Sequence, residues 1–511
     1  MSDATKQEAR CCPGEKVEIT LAICRARQAN NYPKCLLCKH YVIQPGEAQT
    51  ADPRVKASIF RTTSVAGRVP SEFNEYVVRK VGTAAAQFLR AESAGVSSIV
   101  AACDLRENSR SFCRIFCEGA GLGGLHTTSI GVVSPEVLRF VMATGEFGAG
   151  AFISGCHAPE NTNGIRLYKR SGLPLTYENG LDKIGLIARR TKPSRSRASG
   201  EHHTLEALSS YRSHVLKFVG KLKPATVVVD ASCGVAANLV PYVFEKLPVR
   251  IVPVHFEQDG RSQLLGKRFP APEVQSAVQE AIARSGAVMG VAIDFDGDIA
   301  AFFNETGAIM RNDLVSALIA SELLSYSPGG KVAYDLRFTA AVREEILKAK
   351  GKPLPTSVDP LALTLAVLQK EAIYAADMTG RHFFRDVFGA ESPILAMLLM
   401  CSALSRKGEA LSKMAGELAR YSHSGELRYE MPSPEAAAKA IEELAAQFRD
   451  ADMEKVDGLT VRLADWWFNL RQPGGSTSLR LCVEGRSNAD LRRGTMAIER
   501  AINKHLQQKP S

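Results

Sequence analysis

The sequence predicts a multi-domain α/β protein with largely parallel sheets, a smaller C-terminal α+β domain and a short cysteine-rich N-terminal extension. The chain has 511 residues, too many for one core when domains commonly hold about 100–150 residues. From about residue 55, short β-branched runs alternate with segments of helical apolar spacing, the pattern of strand–helix–strand units. The longest apolar run, ILAMLLM at 394–400, is far too short to span a bilayer.

Composition narrows the class. At 45% hydrophobic and 23% charged residues the chain is built to fold. The opening MSDATKQEAR has no apolar signal core, so a cytoplasmic location is expected. A net charge of +10 attracts nucleic acid, anionic membranes or phosphorylated ligands. Apart from RRTKPSRSR (189–197) the basic residues are spread out, as on a solvated surface, and no aromatic–basic interleaving supports nucleic-acid binding.

Residues 1–54 form the extension, and five of the twelve cysteines fall within the first 38 residues. Cys35 and Cys38 make a C-x-x-C pair after a Tyr-Pro-Lys turn. With Cys12 and Cys24, or with Cys11 or His40 as substitutes, they form a candidate zinc site. A set of buried free cysteines is the competing reading. SEFNEYVVRKVGTAAAQFLRAE (71–92) reads as a helix and SSIVAACDL (97–105) as a buried strand. GAGLGG (119–124) matches G-x-G-x-x-G, but a helical segment precedes it and an extended one follows. That context reads as a glycine-capped helix end, not a dinucleotide loop.

FISGCHAPENTNGIRLY (152–168) runs from an apolar strand through small residues and Cys156-His157 to an Asn-Gly turn. Such a bend exposes a side chain. KPSRSRASGEHHT (192–204) reads as a polar linker, ATVVVDAS (225–232) and VMGVAIDFD (288–296) as strands. Further breaks are expected at YSPGG (326–330) and across 420–436. The resulting divisions are 55–203, 204–309 and 310–425 as α/β domains, and 426–511 as the C-terminal domain.

Taken in order, these loops resemble the phosphohexomutase superfamily of phosphomannomutases and phosphoglucomutases, from about residue 58 to 490. IFRTTSVAG (59–67) resembles the opening I-F-R-x-Y-D-I-R-G, and CDLRENS (103–109) the G-R-D-x-R-x-S turn. GVVSPEVLRF (131–140) resembles the segment before the reactive loop, and ISGCHAPENTNGIRLY resembles T-A-S-H-N-P-x-x-x-N-G-x-K-x-Y. VAIDFDGDIAAFF (291–303) resembles the metal loop D-G-D-x-D-R, and ADMTGRHFFRD (376–386) the sugar loop G-E-x-S-G-H followed by F-R-D. WWFNLRQPGGSTSLRL (466–481) resembles the phosphate loop R-P-S-x-T-E-P.

The resemblance implies four domains around one cleft, the fourth closing over the substrate phosphate. It implies a phosphoserine that passes its phosphoryl group to a hexose monophosphate, a bisphosphate that turns over, and return of the other phosphate. Magnesium is implied between the phosphoserine and three aspartates. The catalysis of such transfer is mostly positioning and charge neutralisation.

The implied residues depart from the pattern. The family serine falls on Cys156, which reads either as a thiolate nucleophile or as a small residue on an inherited loop. His157 adjoins it, and the general-base lysine falls on Arg166, which grips phosphate but accepts no proton. Asp296 and Asp298 are retained, while the third metal-loop aspartate falls on Ala300. Asp294, Asp296 and Asp298 alternate, which on a strand would place all three on one face for magnesium. A loop with no tight metal is the competing reading. In the sugar loop Glu, Ser and His fall on Asp377, Thr379 and Arg381. The phosphate loop keeps Arg471 and Arg480 and offers Ser476 and Thr477, although a plain glycine-rich hairpin turn fits as well. Asp104, Arg106, Pro159, Asn163, Gly164 and Gly380 match the family pattern, and the resemblance implies that most of them shape the backbone rather than do chemistry. The expected function is that of a phosphohexomutase acting on hexose mono- or bisphosphates. The alternative is a paralogue that lost turnover and binds sugar phosphate or a partner.

Overall fold

The computed structural model describes residues 10–12, 14–15, 18–19, 23–24, 27, 38, 52–93, 95–155, 157–190, 200–258, 260, 262 and 264–506. The chain divides into two compact units. The first holds Met1–Ser213 with Cys233–Leu239 and Glu257–Phe269, and the second holds His214–Ser232, Val240–Phe256 and Pro270–Ser511.

In the first unit, β1 (Arg10–Cys11) pairs antiparallel with β2 (Glu18–Ile19). The main sheet holds β3 (Val65–Arg68), β4 (Ser98–Cys103), β5 (His126–Val132), β6 (Ala149–Ile153), β7 (Thr162–Lys169) and β8 (His202–Thr204), in the order β3-β7-β6-β4-β5-β8. β4, β5, β6 and β8 run parallel, and β7 runs antiparallel to β6 and β3. The SIVAAC and AGAFI runs are almost wholly buried, as strands of a covered parallel sheet must be.

The helix Glu75–Glu92 starts where the Asn74 side chain accepts the Val77 amide. Its Val77, Val78, Val81, Phe88 and Leu89 face the core. It packs closely on the helix Ser109–Leu122, because a Cβ at Gly82 would stand 2.5 Å from the Phe116 carbonyl and one at Gly119 2.3 Å from the Arg79 carbonyl. That second helix ends at GAGLGG, with Gly124 left-handed and β5 following, as a capped helix end requires. The expected linker over 192–204 is corrected at its end. Residues 191–199 lie outside the described ones, but His202–Thr204 is an edge strand on β5.

The second unit holds three sheets. The first joins β9 (Ala225–Asp230), β10 (Val249–Val254), β11 (Met289–Ile293) and β12 (Ala300–Asn304) in the order β10-β9-β11-β12, with only β12 antiparallel. The next joins β13 (Lys331–Asp335), β14 (Lys352–Thr356), β15 (Ala372–Ala376), β16 (His382–Phe384) and β17 (Ala390–Glu391) in the order β14-β13-β15-β16-β17. YSPGG is the turn between the helix Asn312–Tyr326 and β13. The last sheet is wholly antiparallel: β18 (Ser422–Glu430), β19 (Asp452–Glu454), β20 (Leu459–Arg462), β21 (Trp466–Arg471) and β22 (Ser478–Gly485), in the order β18-β22-β21-β20-β19. The break expected across 420–436 is instead mostly the nine-residue β18. Its Leu427 and Tyr429 pack on the apolar core beneath the sheet, so alternate residues Glu426, Arg428 and Glu430 take the other face.

Candidate functional site

In the first unit the reactive loop follows β6. Cys156 lies outside the described residues. His157 is exposed with a left-handed backbone, φ 61°. Arg166 is half-buried on β7, its guanidinium 5.5 Å from the centre of the Phe152 ring. The frame of the loop is buried and polar. Arg106 pairs with Asp104 at 3.2 Å and donates to the carbonyls of Ala158 (2.8 Å), Pro159 (2.9 Å) and Thr162 (3.1 Å). Asn163 donates to the Ser109 hydroxyl at 2.9 Å, and Ser109 in turn donates to Asp104. A Cβ at Gly155 would meet the Arg106 guanidinium at 2.4 Å. One guanidinium thus gathers both arms of the loop, which is the backbone role expected of these matching residues.

In the second unit the acidic loop connects β11 to β12. The strand-face geometry expected for its aspartates is corrected here: residues 294–299 are a turn, and Gly297 takes φ 77°. The Asp294 carboxylate accepts the amides of Asp298 and Ile299, each at 2.9 Å, and so caps that turn. A D-F-D-G-D run mimics strand alternation, but the glycine and the capping aspartate favour the turn. All three aspartates are nevertheless buried, and carboxylate oxygens of Asp294 and Asp296 come within 4.8 Å of each other.

The sugar loop sits beside this turn. The Ala300 amide donates to the Gly380 carbonyl at 2.9 Å, and Gly380 has φ 99°. Buried Asp377 accepts the Thr379 amide (2.8 Å), the Thr379 hydroxyl (2.6 Å) and the Arg381 amide (3.0 Å). The Arg381 guanidinium donates to the Thr379 hydroxyl at 2.8 Å and lies 3.5 Å from the Asp377 carboxylate. Burial opposes its charge, but Asp298, Asp377, Glu391 and Asp294 outweigh that and hold Arg381 above the usual arginine range. Arg381 is therefore a fixed cation next to the acidic turn.

The phosphate loop joins β21 to β22. Pro473–Gly475 form a single 3-10 turn in which Gly474 has φ 54°. Ser476 and Thr477 are exposed, and the Thr477 hydroxyl lies 3.4 Å from Glu430. Arg471 reaches the Glu426 carboxylate at 2.6 Å, Arg480 reaches it at 3.1 Å, and Arg337 at 2.9 Å. Burial alone would raise the Glu426 carboxyl, but Arg471 and Arg337 hold it below the usual range. Arg337 also grips buried Asp335, which accepts the Met378 amide of the sugar loop at 3.3 Å. A continuous polar path thus joins the sugar loop to the phosphate loop.

Known proteins are similar to this chain in sequence and in fold. Residues 57–193 match the phosphoglucomutase/phosphomannomutase alpha/beta/alpha domain I, and residues 209–307 match domain II. A curated relative from Xanthomonas campestris pv. campestris, named phosphohexose mutases, is 28% identical over 441 residues, 84% of this chain and 96% of that protein. A phosphomannomutase of Salmonella montevideo is 26% identical over 442 residues, again 84% and 96% of the two chains. The chain belongs to the phosphohexomutase superfamily. The crystal structure of a phosphoglucomutase/phosphomannomutase family protein from Burkholderia thailandensis has the same fold, with a TM-score of 0.77 at 24% identity, covering 89% of this chain and 99% of that one.

The match to domain I begins at residue 57, beyond the N-terminal extension. The zinc site expected there is not supported. Cys35 lies outside the described residues, while Cys12 and Cys24 pack with Ile19 as a small apolar cluster. The Cys12 sulfur accepts from Arg27 at 3.1 Å, and among the described residues no group of three metal donors includes Cys12, Cys24 or Cys38. Among the described residues, no helix is long and apolar enough to cross a membrane. Two site residues escaped the sequence reading. Arg337 carries no motif signal beyond YDLRF, and Glu426 lies 45 residues from the Arg471 it binds.

Proposed function

We propose that this phosphohexomutase moves a phosphoryl group between two hydroxyls of a hexose phosphate. The observation that carries the reading is the tether in the second unit. The acidic turn and the sugar loop are held together through Ala300 and Gly380, and the sugar loop continues through Asp335, Arg337 and Glu426 to the phosphate-loop arginines.

In this reading Cys156 carries the phosphoryl group. Attack by a sugar hydroxyl breaks the S–P bond and forms an O–P bond, giving the bisphosphate and a free thiolate. The return step reverses this with the other phosphate, so no net oxidation or hydrolysis occurs. Arg166 keeps its proton and contributes only charge, so the hydroxyl proton goes to His157. Asp377 and Thr379 orient sugar hydroxyls, with Arg381 fixed beside them. Arg471, with the hydroxyls of Ser476 and Thr477, receives the distal phosphate.

Three buried carboxylates in one turn offer the hard oxygen ligands that magnesium prefers. Asp296 and Asp298, together with Asp294, whose carboxylate oxygen comes within 4.8 Å of that of Asp296, would hold Mg²⁺. When bound it would neutralise charge on the transferring phosphoryl group.

The test incubates the full chain with glucose 1-phosphate or mannose 1-phosphate, magnesium and a trace of the corresponding bisphosphate. Formation of the 6-phosphate, with a phosphate mass adduct lost in Cys156→Ala, is the expected result. No product at high protein concentration despite retained ligand binding would overturn it.

A further inference from the structure

Three arginines stand in one row across the C-terminal sheet. Arg428 on β18 lies directly opposite Arg480 on β22, and Arg480 lies directly opposite Arg471 on β21. Residues directly opposite share a face, and like charges so placed repel. The room for Arg471 is built in, because a Cβ at neighbouring Gly458 would meet its Cβ at 2.6 Å. Such a row costs the sheet stability unless an anion sits among its members.

Two carboxylates supply that anion. Arg428 is answered by Glu430, two residues along its own strand. Glu426 answers the other two, with one oxygen 3.1 Å from Arg480 and the other 2.6 Å from Arg471. Glu426 also takes Arg337 at 2.9 Å, though Arg337 already holds Asp335. One glutamate therefore serves three guanidiniums, and the group Arg337, Arg471 and Arg480 keeps one positive charge beyond Glu426 and Asp335. The Nε atoms of Arg471 and Arg480 are buried and find no acceptor among the described residues. The cluster is short of negative charge and of acceptor oxygens.

We propose that Glu426 is a built-in counter-ion that stands in for the substrate phosphate, and that a phosphate dianion displaces it from Arg471 and Arg480. A carboxylate and a phosphate present comparable paired oxygens to a guanidinium fork, so the arginines exchange one anion for another, and the dianion supplies the negative charge that the row lacks. Glu426 then sets how tightly the loop holds phosphate: it lowers affinity for the bare anion and prevents the ligand-free row from repelling itself. It is a positioning residue, and the inference rests on the reading of Arg471 as a phosphate ligand.

The probe is inorganic phosphate, and the readouts are its affinity by calorimetry and the thermal midpoint of the full chain with and without it. Glu426→Gln is expected to lower the phosphate-free midpoint and to bind phosphate about tenfold more tightly, because a competing negative charge is gone. Phosphate should therefore raise the midpoint further in the variant than in the parent. A purely structural glutamate predicts the opposite, since freed arginines would splay and phosphate binding would weaken. Unchanged or weaker phosphate binding in Glu426→Gln overturns the proposal. Should that variant not fold, Glu426→Asp retracts the carboxylate by one methylene, and an affinity no tighter than the parent's overturns it equally. Arg471→Met separates the two levels. If it abolishes phosphate binding while Glu426→Gln fails to tighten it, only the counter-ion idea falls. If Arg471→Met leaves phosphate binding intact, the phosphate-loop reading falls as well.

Discussion

The amide of Ala300 donates to the carbonyl of Gly380 at 2.9 Å, which binds the acidic turn to the sugar loop. Gly380 allows this twice over. Its φ of 99° suits glycine, and a Cβ there would stand 2.3 Å from the Ala300 carbonyl oxygen, a backbone atom that cannot give way. Gly380→Ala is therefore expected to cost roughly 2–3 kcal/mol of stability. Urea unfolding checks the stability. Turnover is expected to fall as well, since the substitution separates two loops that in the proposed function act on one sugar phosphate.

Arg106 gives a second expectation. It is buried, paired with Asp104, and donates to three loop carbonyls. Removing it strands a buried carboxylate, and Arg106→Met should destabilise by about 3–5 kcal/mol. Combining it with Asp104→Leu should cost less than the two single changes added, because the uncompensated charge disappears. Denaturant midpoints of the two singles and the double variant check this.

The acidic turn makes a metal prediction. Magnesium should raise the thermal midpoint of the parent chain, and Asp296→Asn should erase most of that rise. Turnover in Asp296→Asn is expected to drop about 10²–10³-fold, the scale for losing one preorganised charge. Chelation should reproduce the loss in the parent, and restored magnesium should reverse it. Arg381 is drawn to two carboxylates of the same turn, Asp298 and Asp294. Arg381→Gln should therefore tighten magnesium binding, which titration calorimetry reads directly.

Much of the fold was legible because β-branched runs such as ATVVVD and SIVAAC, and the helical spacing of 75–92, each admit one period. Local loop geometry was legible where a motif is contiguous, as at Asp377–Arg381, whose polar groups gather in one hydrogen-bonded turn. It was misread where local chemistry overrides alternation: Asp294, Asp296 and Asp298 look like a strand face, yet Gly297 and the Asp294 side chain close a turn. The site was invisible where the partners are far apart in sequence. Nothing near Glu426 announces Arg337 or Arg471, and only the strand register of the C-terminal sheet brings them together. The break expected across 420–436 concealed the same residue. Ser, Gly and His in SHSGELRYE read as a loop, while the burial of Leu427 and Tyr429 holds the segment as a strand.

His382 gives the last prediction, a pH dependence with a definite sign. It lies wholly buried beside the sugar loop, with its Nδ1 2.7 Å from the Tyr374 hydroxyl and Phe302 packed edge-on. Burial pushes its imidazole down to about 3, so it stays neutral in the folded protein. The unfolded chain protonates the same group near ~6.5. Between those values the unfolded state binds the extra proton, so this contribution to stability is complete above ~6.5 and is lost progressively as pH falls towards 3. His382→Gln retains a polar partner for Tyr374 but cannot titrate. Its unfolding free energy, measured by urea from pH 7 to pH 4, should fall less steeply than the parent's, whatever its absolute value at neutral pH. Parallel slopes for the two proteins would mean that the buried imidazole takes up its proton over the same pH range as in the unfolded chain, and would overturn the prediction.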